Sequence, residues 1–287
     1  MAAIIAPLFV VVGIGFAWAR LGKPFHTDMV AMLVANIGGP CLIFSSLTKL
    51  QVSPLDFTIL AGAFVAVMAA NLAVGALALR LMGLRMGPYL PALTFANTGN
   101  IGLPLCLFAF GDAGLALAIS GFFIVAVGNM TIGVALMSGR LSLRQVSTNP
   151  YLYVIAAALA FMITDTRPPA WIANTVELLG GVSIPLMLLA LGVTIAKLRV
   201  RSIPRSVALS ALRLGLGFAL GVAMAHLFGL TGVSRGVLIL QSAMPVAVMN
   251  FLFASRYGCE PEEVAGMIVA STALSFLTLP ALLYVVL

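Results

Sequence analysis

Two polar clusters interrupt apolar stretches of the sequence. The first cluster is ANTGNIGLP, from Ala96 to Pro104, and the second is QSAMPVAVMN, from Gln241 to Asn250. Their Gly and Pro residues disfavour a continuous helix, and interrupted backbone persists at membrane depth only where it is buried in protein or lines a cavity. Neither cluster contains Asp or Glu. The chemistry they favour is therefore the binding of an anion by side-chain amides, hydroxyls and the positive N-terminal ends of half-helices.

Six polar side chains are the predicted anion ligands: Asn97, Thr98, Asn100, Gln241, Ser242 and Asn250. Six Gly and Pro residues are expected to break the helices near the site: Gly99, Gly102, Pro104, Pro245, Pro40 and Pro185. Pro104 and Pro245 are each predicted to occupy the first turn of a second half-helix, because Pro tolerates that position. The alternative is that Pro and Gly merely kink packed helices. Matched interruptions in two segments favour a binding site.

Two charged residues stand inside apolar segments. Arg213 either faces a substrate path or reaches the cytoplasmic edge of the membrane with its long side chain. Glu177 is either a proton-coupling carboxylate or part of a capping box, Asn174-x-x-Glu177, at a helix start, and the cap is favoured. Asn71 is expected to line a cavity or, more commonly, to hydrogen-bond between helices, and Gly217-x-x-x-Gly221 predicts close helix packing.

The elements that must position these residues are transmembrane helices. The 287 residues are 62% hydrophobic and 8% charged, with a mean hydropathy of +1.17. Soluble domains contain about 25% charged residues, so a soluble enzyme, a nucleic-acid binder and a secreted disulfide scaffold are all excluded. One span takes about 20 residues, and the apolar stretches predict an all-α protein with ten spans. These are residues 2–20, 28–48, 56–80, 89–111, 113–138, 150–165, 171–196, 204–229, 233–255 and 263–287.

The basic residues sort by loop and predict the orientation. The net charge is +7, from 15 basic and 8 acidic residues. The odd-numbered loops hold eleven of the basic residues: Arg20, Lys23, Arg80, Arg85, Arg140, Arg144, Lys197, Arg199, Arg201, Arg205 and Arg256. The even-numbered loops hold three: Lys49, Arg167 and Arg235. Because cytoplasmic loops are rich in Lys and Arg, we expect the odd-numbered loops in the cytoplasm and both termini on the opposite, non-cytoplasmic side.

The chain also shows an internal repeat with an offset of 145 residues. Pro40 corresponds to Pro185, Gly121 to Gly266, and the tripeptide Leu-Phe-Ala at 107–109 recurs at 252–254. Five spans in each half would make the second half, 146–287, enter the membrane in the opposite direction to the first half, 1–145. Such inverted repeats are typical of secondary transporters. Chance similarity between apolar helices is the alternative.

At these residues the sequence resembles the auxin efflux carrier family, as a bacterial member similar to the plant PIN-type carriers. The most specific parts of the resemblance are Asn97-Thr98 with Gly102-Leu103-Pro104, then Gln241–Pro245 continuing through Phe251–Glu260 to Pro261, and finally Ser271–Ser275 with Thr278–Pro280. The sequence lacks the long central loop of the plant carriers and has only 139–149 there. It also has Asn250 where PIN-type carriers have Pro.

The resemblance implies ten helices in two inverted five-helix repeats, with spans 4 and 9 crossing at their breaks. It implies a scaffold of spans 1, 2, 6 and 7 and a moving transport domain of spans 3–5 and 8–10. Family substrates are small organic anions, auxin in plants and dicarboxylates such as malate or malonate in bacteria. In PIN-type carriers the residue matching Asn97 contacts the carboxylate. For a bacterial member, the implied location is the inner (cytoplasmic) membrane.

The predicted function is therefore transport of small organic anions, either secondary active or driven by the membrane potential. An anion channel or a membrane sensor with the same fold is the alternative. An intramembrane enzyme is disfavoured because the sequence offers no intramembrane acid pair, nucleophile–base set or metal cluster. Predicted partners are the substrate anion and the lipid bilayer, with no nucleic acid, metal or cofactor. Homodimerisation and proton coupling stay open, as do the substrate and the direction of transport.

Overall fold

The computed structural model describes residues 2–49, 54–140, 150–164, 166–198 and 200–287. Two of the basic residues used for the orientation, Arg144 and Arg199, lie outside this part, as do residues 141–149 of the central loop. Within the described residues the secondary structure is helical, with no strand beyond one isolated bridge. The predicted all-α class is confirmed.

The helices of the described part are numbered here in chain order. They are α1 Ala2–Arg20, α2 Thr27–Leu33, α3 Gly39–Lys49, α4 Pro54–Leu81, α5 Met86–Thr94, α6 Leu103–Gly128, α7 Val134–Ser138, α8 Pro150–Ile163, α9 Ala170–Gly181, α10 Ser183–Lys197, α11 Ile203–Leu227, α12 Gly232–Ser242, α13 Val248–Tyr257 and α14 Pro261–Val286. The described part also contains π-helical turns at Val34–Gly38, Thr98–Gly102 and Asn129–Gly133.

Seven helical stretches of the described part are long and apolar enough to cross a membrane. These are Ala3–Arg20, Thr27–Lys49, Leu55–Leu81, Thr98–Ser138, Ala170–Lys197, Ile203–Leu227 and Pro261–Val286. The fourth of them has 41 residues, about 60 Å at 1.5 Å per residue, which exceeds one crossing. It turns at Gly111, whose φ of 66° and ψ of −158° are not helical and suit only glycine. The protein is therefore a multi-pass membrane protein.

The predicted helix breaks are of two kinds. Pro40 and Pro185 lie in the first turns of α3 and α10, where a missing N–H costs nothing, and the helix continues through both regions with only a π-helical turn or a bend. True interruptions occur at residues 95–97, here the first break, and at residues 243–247, here the second break. The first break separates α5 from the π-helical turn that leads into α6, and the second separates α12 from α13.

The helices pack in two groups around these breaks. In one group α1 packs on α10, and α3 packs on α8 and α9. In the other, α4, α5, α6, α11, α12 and α14 pack on one another. The α1–α10 contact is very close, because a Cβ built on Gly15 or on Gly192 would overlap a backbone carbonyl of the facing helix. Small residues allow this approach in membrane proteins.

Replacing Gly15 by Ala should destabilise the protein, because the added Cβ would overlap the carbonyl of Leu189. Overpacking of this kind costs about 1–3 kcal/mol. The matched control is Gly13→Ala on the same helix, where a Cβ meets nothing within 4 Å and Ala is the better helix former. Thermal unfolding in detergent should show a lower Tm for Gly15→Ala alone. Equal Tm values for the two variants would contradict this packing.

Candidate functional site

The two breaks cross and satisfy each other's backbone groups. They pair in an isolated antiparallel bridge between Ala96 and Val246. The N–H of Asn97 donates to the carbonyl oxygen of Pro245 at 2.7 Å, and a second hydrogen bond of 3.1 Å runs from the N–H of residue 247 to the carbonyl oxygen of residue 95. Because unpaired backbone groups are costly away from water, each break stabilises the other.

Polar side chains complete this hydrogen bonding. The Nδ2 of Asn250 donates to the carbonyl oxygen of Phe95 at 3.1 Å, and the N–H of Val246 donates to the Oγ of Ser271, also at 3.1 Å. The Oδ1 of Asn97 accepts the N–H of Asn100 at 3.3 Å, which caps the π-helical turn that follows. Two of the predicted ligands, Asn250 and Asn97, therefore stabilise the backbone at the crossing.

Pro104 and Pro245 occupy different positions in their breaks. Pro104 lies in the first turn of α6, as expected from the sequence. Pro245 lies in the second break, three residues before α13 begins at Val248, so its predicted place in a helical first turn is wrong. The reason is the crossing, because the carbonyl of Pro245 pairs with Asn97 and the chain stays extended through Ala247, with ψ 135°.

A cavity of about 450 Å³ reaches the first break. One wall comes from α2, α8 and α10, and the other from α6, α13 and the π-helical turn after the first break. Its lining is mostly apolar, with Phe122 and Tyr151 in edge-to-face contact at 5.3 Å between ring centroids. Asp28 and Lys197 also line it. This size and composition are typical of small-molecule sites.

Of the six predicted ligands, Asn100 alone lines this cavity, together with the adjacent Gly99. The other five are at most 4% exposed: Asn97, Thr98, Gln241, Ser242 and Asn250. Buried atoms without a hydrogen-bond partner include the Asn97 Nδ2, a donor three residues from Asn100, and the Asn250 Oδ1. The structure therefore brings one predicted ligand to the cavity wall and places the others behind it.

Gly102, just after the first break, packs against Gln241, just before the second break. A Cβ on Gly102 would overlap the amide of Gln241, so a larger residue at 102 would force the Gln241 side chain to move. The Nε2 of Gln241 donates to the carbonyl of Ala118 at 3.4 Å, and Gln241 has no exposed surface. Gln241 therefore packs α12 against α6 and does not face the cavity.

Arg213 occupies a position that the sequence reasoning missed. It is 1% exposed, lies outside the 450 Å³ cavity and does not reach the membrane edge. Its Nη1 donates to the carbonyl oxygen of Leu93 at 2.9 Å and to the Oδ1 of Asn71 at 3.3 Å, while its Nη2 donates to the carbonyl oxygen of Ser242 at 3.0 Å. Because the side chain is buried, the expected reach of Arg213 to the membrane edge is wrong. A place on a substrate path stays a prediction, and the expected interhelical role of Asn71 is observed.

The spacing of Gly217 and Gly221 was the signal that could have located Arg213. A Cβ on Gly217 would overlap the carbonyl of Ser242, and one on Gly221 would lie 3.0 Å from the Ser242 Cβ. Residues four apart share a helix face, so Arg213 lies one turn before these glycines on the face that packs against α12.

Glu177 lies away from the cavity. Its Oε1 accepts from the Nζ of Lys49 at 2.7 Å, and both side chains are more than half exposed. The predicted capping box is wrong, because α9 begins at Ala170 after Pro169, with no side-chain cap. The two prolines before Ala170 start the helix earlier than Asn174.

The charged side chains near the cavity bear on metal binding. In the described residues no three His, Cys, Asp or Glu side chains lie close enough to hold a metal ion. Asp28 is the carboxylate that lines the cavity. The local sequence does not indicate this role, because the pattern around the start of α2 does not show that it borders a cavity.

The sequence is similar to those of known and uncharacterized membrane transporters. Residues 140–283 match the family model described as membrane transport protein. An uncharacterized transporter of Methanocaldococcus jannaschii is 24% identical over 274 residues, covering 90% of this chain and 89% of the relative. A Rhizobium meliloti protein named "Putative malonate transporter" is 24% identical, covering 70% and 62% of the two chains. Auxin efflux carrier component 1 of Arabidopsis thaliana is 29% identical over 150 residues, 49% of this chain and 24% of the plant protein.

Replacing Asn250 by Ala should destabilise the crossing, because the buried carbonyl of Phe95 loses the side-chain donor of Asn250 and keeps only the N–H of Ala247. The loss of one hydrogen bond costs about 0.5–1.5 kcal/mol. The control is Asn36→Ala, which removes an amide that donates to the carbonyl of Met32 at an exposed position. Thermal unfolding in detergent should show a clear loss for Asn250→Ala and little change for Asn36→Ala. A small effect at both positions would argue against the crossing.

Proposed function

The chain belongs to the membrane transport protein family, the auxin efflux carrier family, and from this premise we propose that it carries small organic anions by alternating access. The substrate class is mono- or dicarboxylates such as malate or malonate. The observation that carries this proposal is the 450 Å³ cavity that ends at Gly99 and Asn100, where a helix restarts after the first break. The name of the Rhizobium meliloti relative supports a carboxylate.

The proposed architecture has ten crossings in two inverted repeats, 1–145 and 146–287. Two interrupted helix pairs, α5 with the first half of α6 and α12 with α13, would each make one crossing through their breaks. The turn at Gly111 would start the next crossing, and the shorter apolar helix Pro150–Ile163 would make another. Together with the remaining long helices these give ten.

The proposed moving parts follow the two packing groups. The scaffold would contain α1–α3 and α8–α10, and the transport domain α4–α7 and α11–α14. The cavity lies where the two groups meet, since its lining comes from both. A site between two bodies opens to alternate sides when one body moves against the other, and this motion is the proposed transport step.

The proposed anion site uses the first break. The π-helical turn Thr98–Gly102 and α6 form a half-helix whose N-terminal end carries partial positive charge. Asn100 and the unpaired Nδ2 of Asn97 would donate to the carboxylate. Thr98 lies within the same turn, whereas Gln241, Ser242 and Asn250 would support the site from behind. Lys197 would attract the anion at the cavity wall.

The proposed orientation puts this cavity towards the cytoplasm. Thr27, Asp28 and Lys197 line one end of it, and they adjoin the first and seventh loops, which the distribution of basic residues assigns to the cytoplasmic side. Both termini would then face outward from the cytoplasmic membrane. The described conformation would be the inward-open one.

Purified protein in liposomes should take up radiolabelled malonate or malate with saturation, and an excess of the same unlabelled anion inside should accelerate uptake. Saturation and counter-flow require a site that is occupied in each cycle, as alternating access demands. Imposed pH and voltage gradients would separate proton coupling from movement down the membrane potential. A conductance without saturation would identify a channel instead, and binding without flux would identify a sensor.

Replacing Asn97 or Asn100 by Ala should weaken substrate binding. A hydrogen bond to a charged group contributes about 1.5–3 kcal/mol, so Kd should rise about 10- to 150-fold. Asn36→Ala is the control, since Asn36 is exposed and bonds only to its own helix. Calorimetry on detergent-solubilised protein measures Kd, and the Tm reports folding. Unchanged affinity in a variant would remove that residue from the site.

A further inference from the structure

Arg213 is a buried charge without an acidic partner. Among the described residues two charged side chains are classed as buried, Arg213 and Glu263. Glu263 lies at the start of α14, 3.7 Å from Arg205. No described carboxylate oxygen lies within 4.0 Å of an Arg213 nitrogen, since no such ion pair occurs. Burying an uncompensated charge is expensive, so the surroundings of Arg213 must supply negative potential in another form.

That potential comes from two helix ends. Leu93 is one residue from the C-terminal end of α5, and Ser242 is the last residue of α12. The backbone carbonyl oxygens of both residues accept hydrogen bonds from Arg213, Leu93 from its Nη1 at 2.9 Å and Ser242 from its Nη2 at 3.0 Å. The last four carbonyls of a helix have no partner within it and carry partial negative charge. Arg213 therefore caps the two helices that lead into the two breaks.

The same oxygen atoms would suit a monovalent cation. Two helix-end carbonyls and the Oδ1 of Asn71 surround the guanidinium. Beside it lies a space of about 10 Å³, room for about one water molecule. Three more oxygens without partners border that space: Thr94 Oγ1, Gln241 Oε1 and Ser242 Oγ. Half-helix C-terminal ends of this kind coordinate Na⁺ or H⁺ in secondary transporters.

We propose that the guanidinium of Arg213 is a tethered cation that permanently fills a monovalent-cation site at the crossing. It neutralises the C-terminal ends of α5 and α12 and positions both breaks. It also makes transport by this chain independent of Na⁺, because the oxygens that would bind the ion already bind Arg213. This last consequence rests on the proposed transport function, whereas the occupied cation site does not.

The cation site is tested without any substrate, by thermal unfolding of the purified Arg213→Ala variant. Removing the side chain should lower the Tm, and guanidinium chloride at low millimolar, non-denaturing concentration should restore part of the loss, with NaCl restoring a smaller part against choline chloride. Wild type and Arg80→Ala should show no such gain; Arg80 is an exposed arginine in the last turn of α4. An Arg213→Ala variant that ignores both cations would overturn the proposal.

Transport gives the second test. Wild-type uptake in liposomes should be the same in NaCl and in choline chloride, and loss of uptake without Na⁺ would overturn the Na⁺-independence.

Arg213→Ala should transport at least tenfold more slowly and should regain several-fold in rate with guanidinium. Arg213→Lys keeps the charge but not the planar set of donors, so its rate should lie between those of wild type and Arg213→Ala. If Arg213→Ala cannot be purified even with guanidinium present, the cation site is rejected. If no anion is transported by wild type, the transport function fails, and the thermal test still decides the site.

Discussion

The structure depends on one constraint, the satisfaction of the backbone groups that two interrupted helices leave unpaired inside a membrane. No water competes for those groups in the hydrocarbon region. The two breaks solve the problem together, because the strand-like segments pair at Ala96 and Val246. The side chains of Asn250 and Ser271 add hydrogen bonds to the carbonyl of Phe95 and to the N–H of Val246. Each break alone would carry unsatisfied donors and acceptors, so the crossing exists only as a pair.

The residues that follow the two breaks differ in character. Both breaks are buried, and both lead onto the cavity wall, but Gly99 and the amide of Asn100 follow the first, whereas the apolar Val248 and Met249 follow the second. The bridge pairs residues 150 apart, and helical structure resumes at Thr98 and Val248, also 150 apart. Locally the offset is thus 150 and not the 145 seen elsewhere in the sequence. This alignment sets Asn100 against Asn250, one facing the cavity and the other holding Phe95.

Local sequence patterns located several helices and both breaks to within a residue or two. The predicted span 56–80 corresponds to Pro54–Leu81. The second polar cluster contains the whole second break, and the first cluster starts one residue after the first break starts. The same patterns did not show which way a polar side chain points. Pro245 and the capping role of Glu177 were misplaced, and the partners of Arg213 were missed, because these features depend on a residue more than 100 positions away or on where a helix begins. Arg213 is the clearest example. The spacing of Gly217 and Gly221 predicts which helix face it lies on, but nothing local predicts the carbonyl oxygens that accept its hydrogen bonds.

The positions of the fixed charges bear on how the proposed site, which has no charged ligand in its break, would favour an anion. α5 and α12 direct their negative C-terminal ends towards the crossing, and Arg213 is bonded to both ends. The half-helix that begins at Thr98 directs its positive N-terminal end towards the cavity side. With the negative ends neutralised, the positive end and the amide donors would attract the proposed anion at Asn100. A neutral residue at position 213 would leave two uncompensated C-terminal ends behind the site, and these would repel the anion that the first break is proposed to bind.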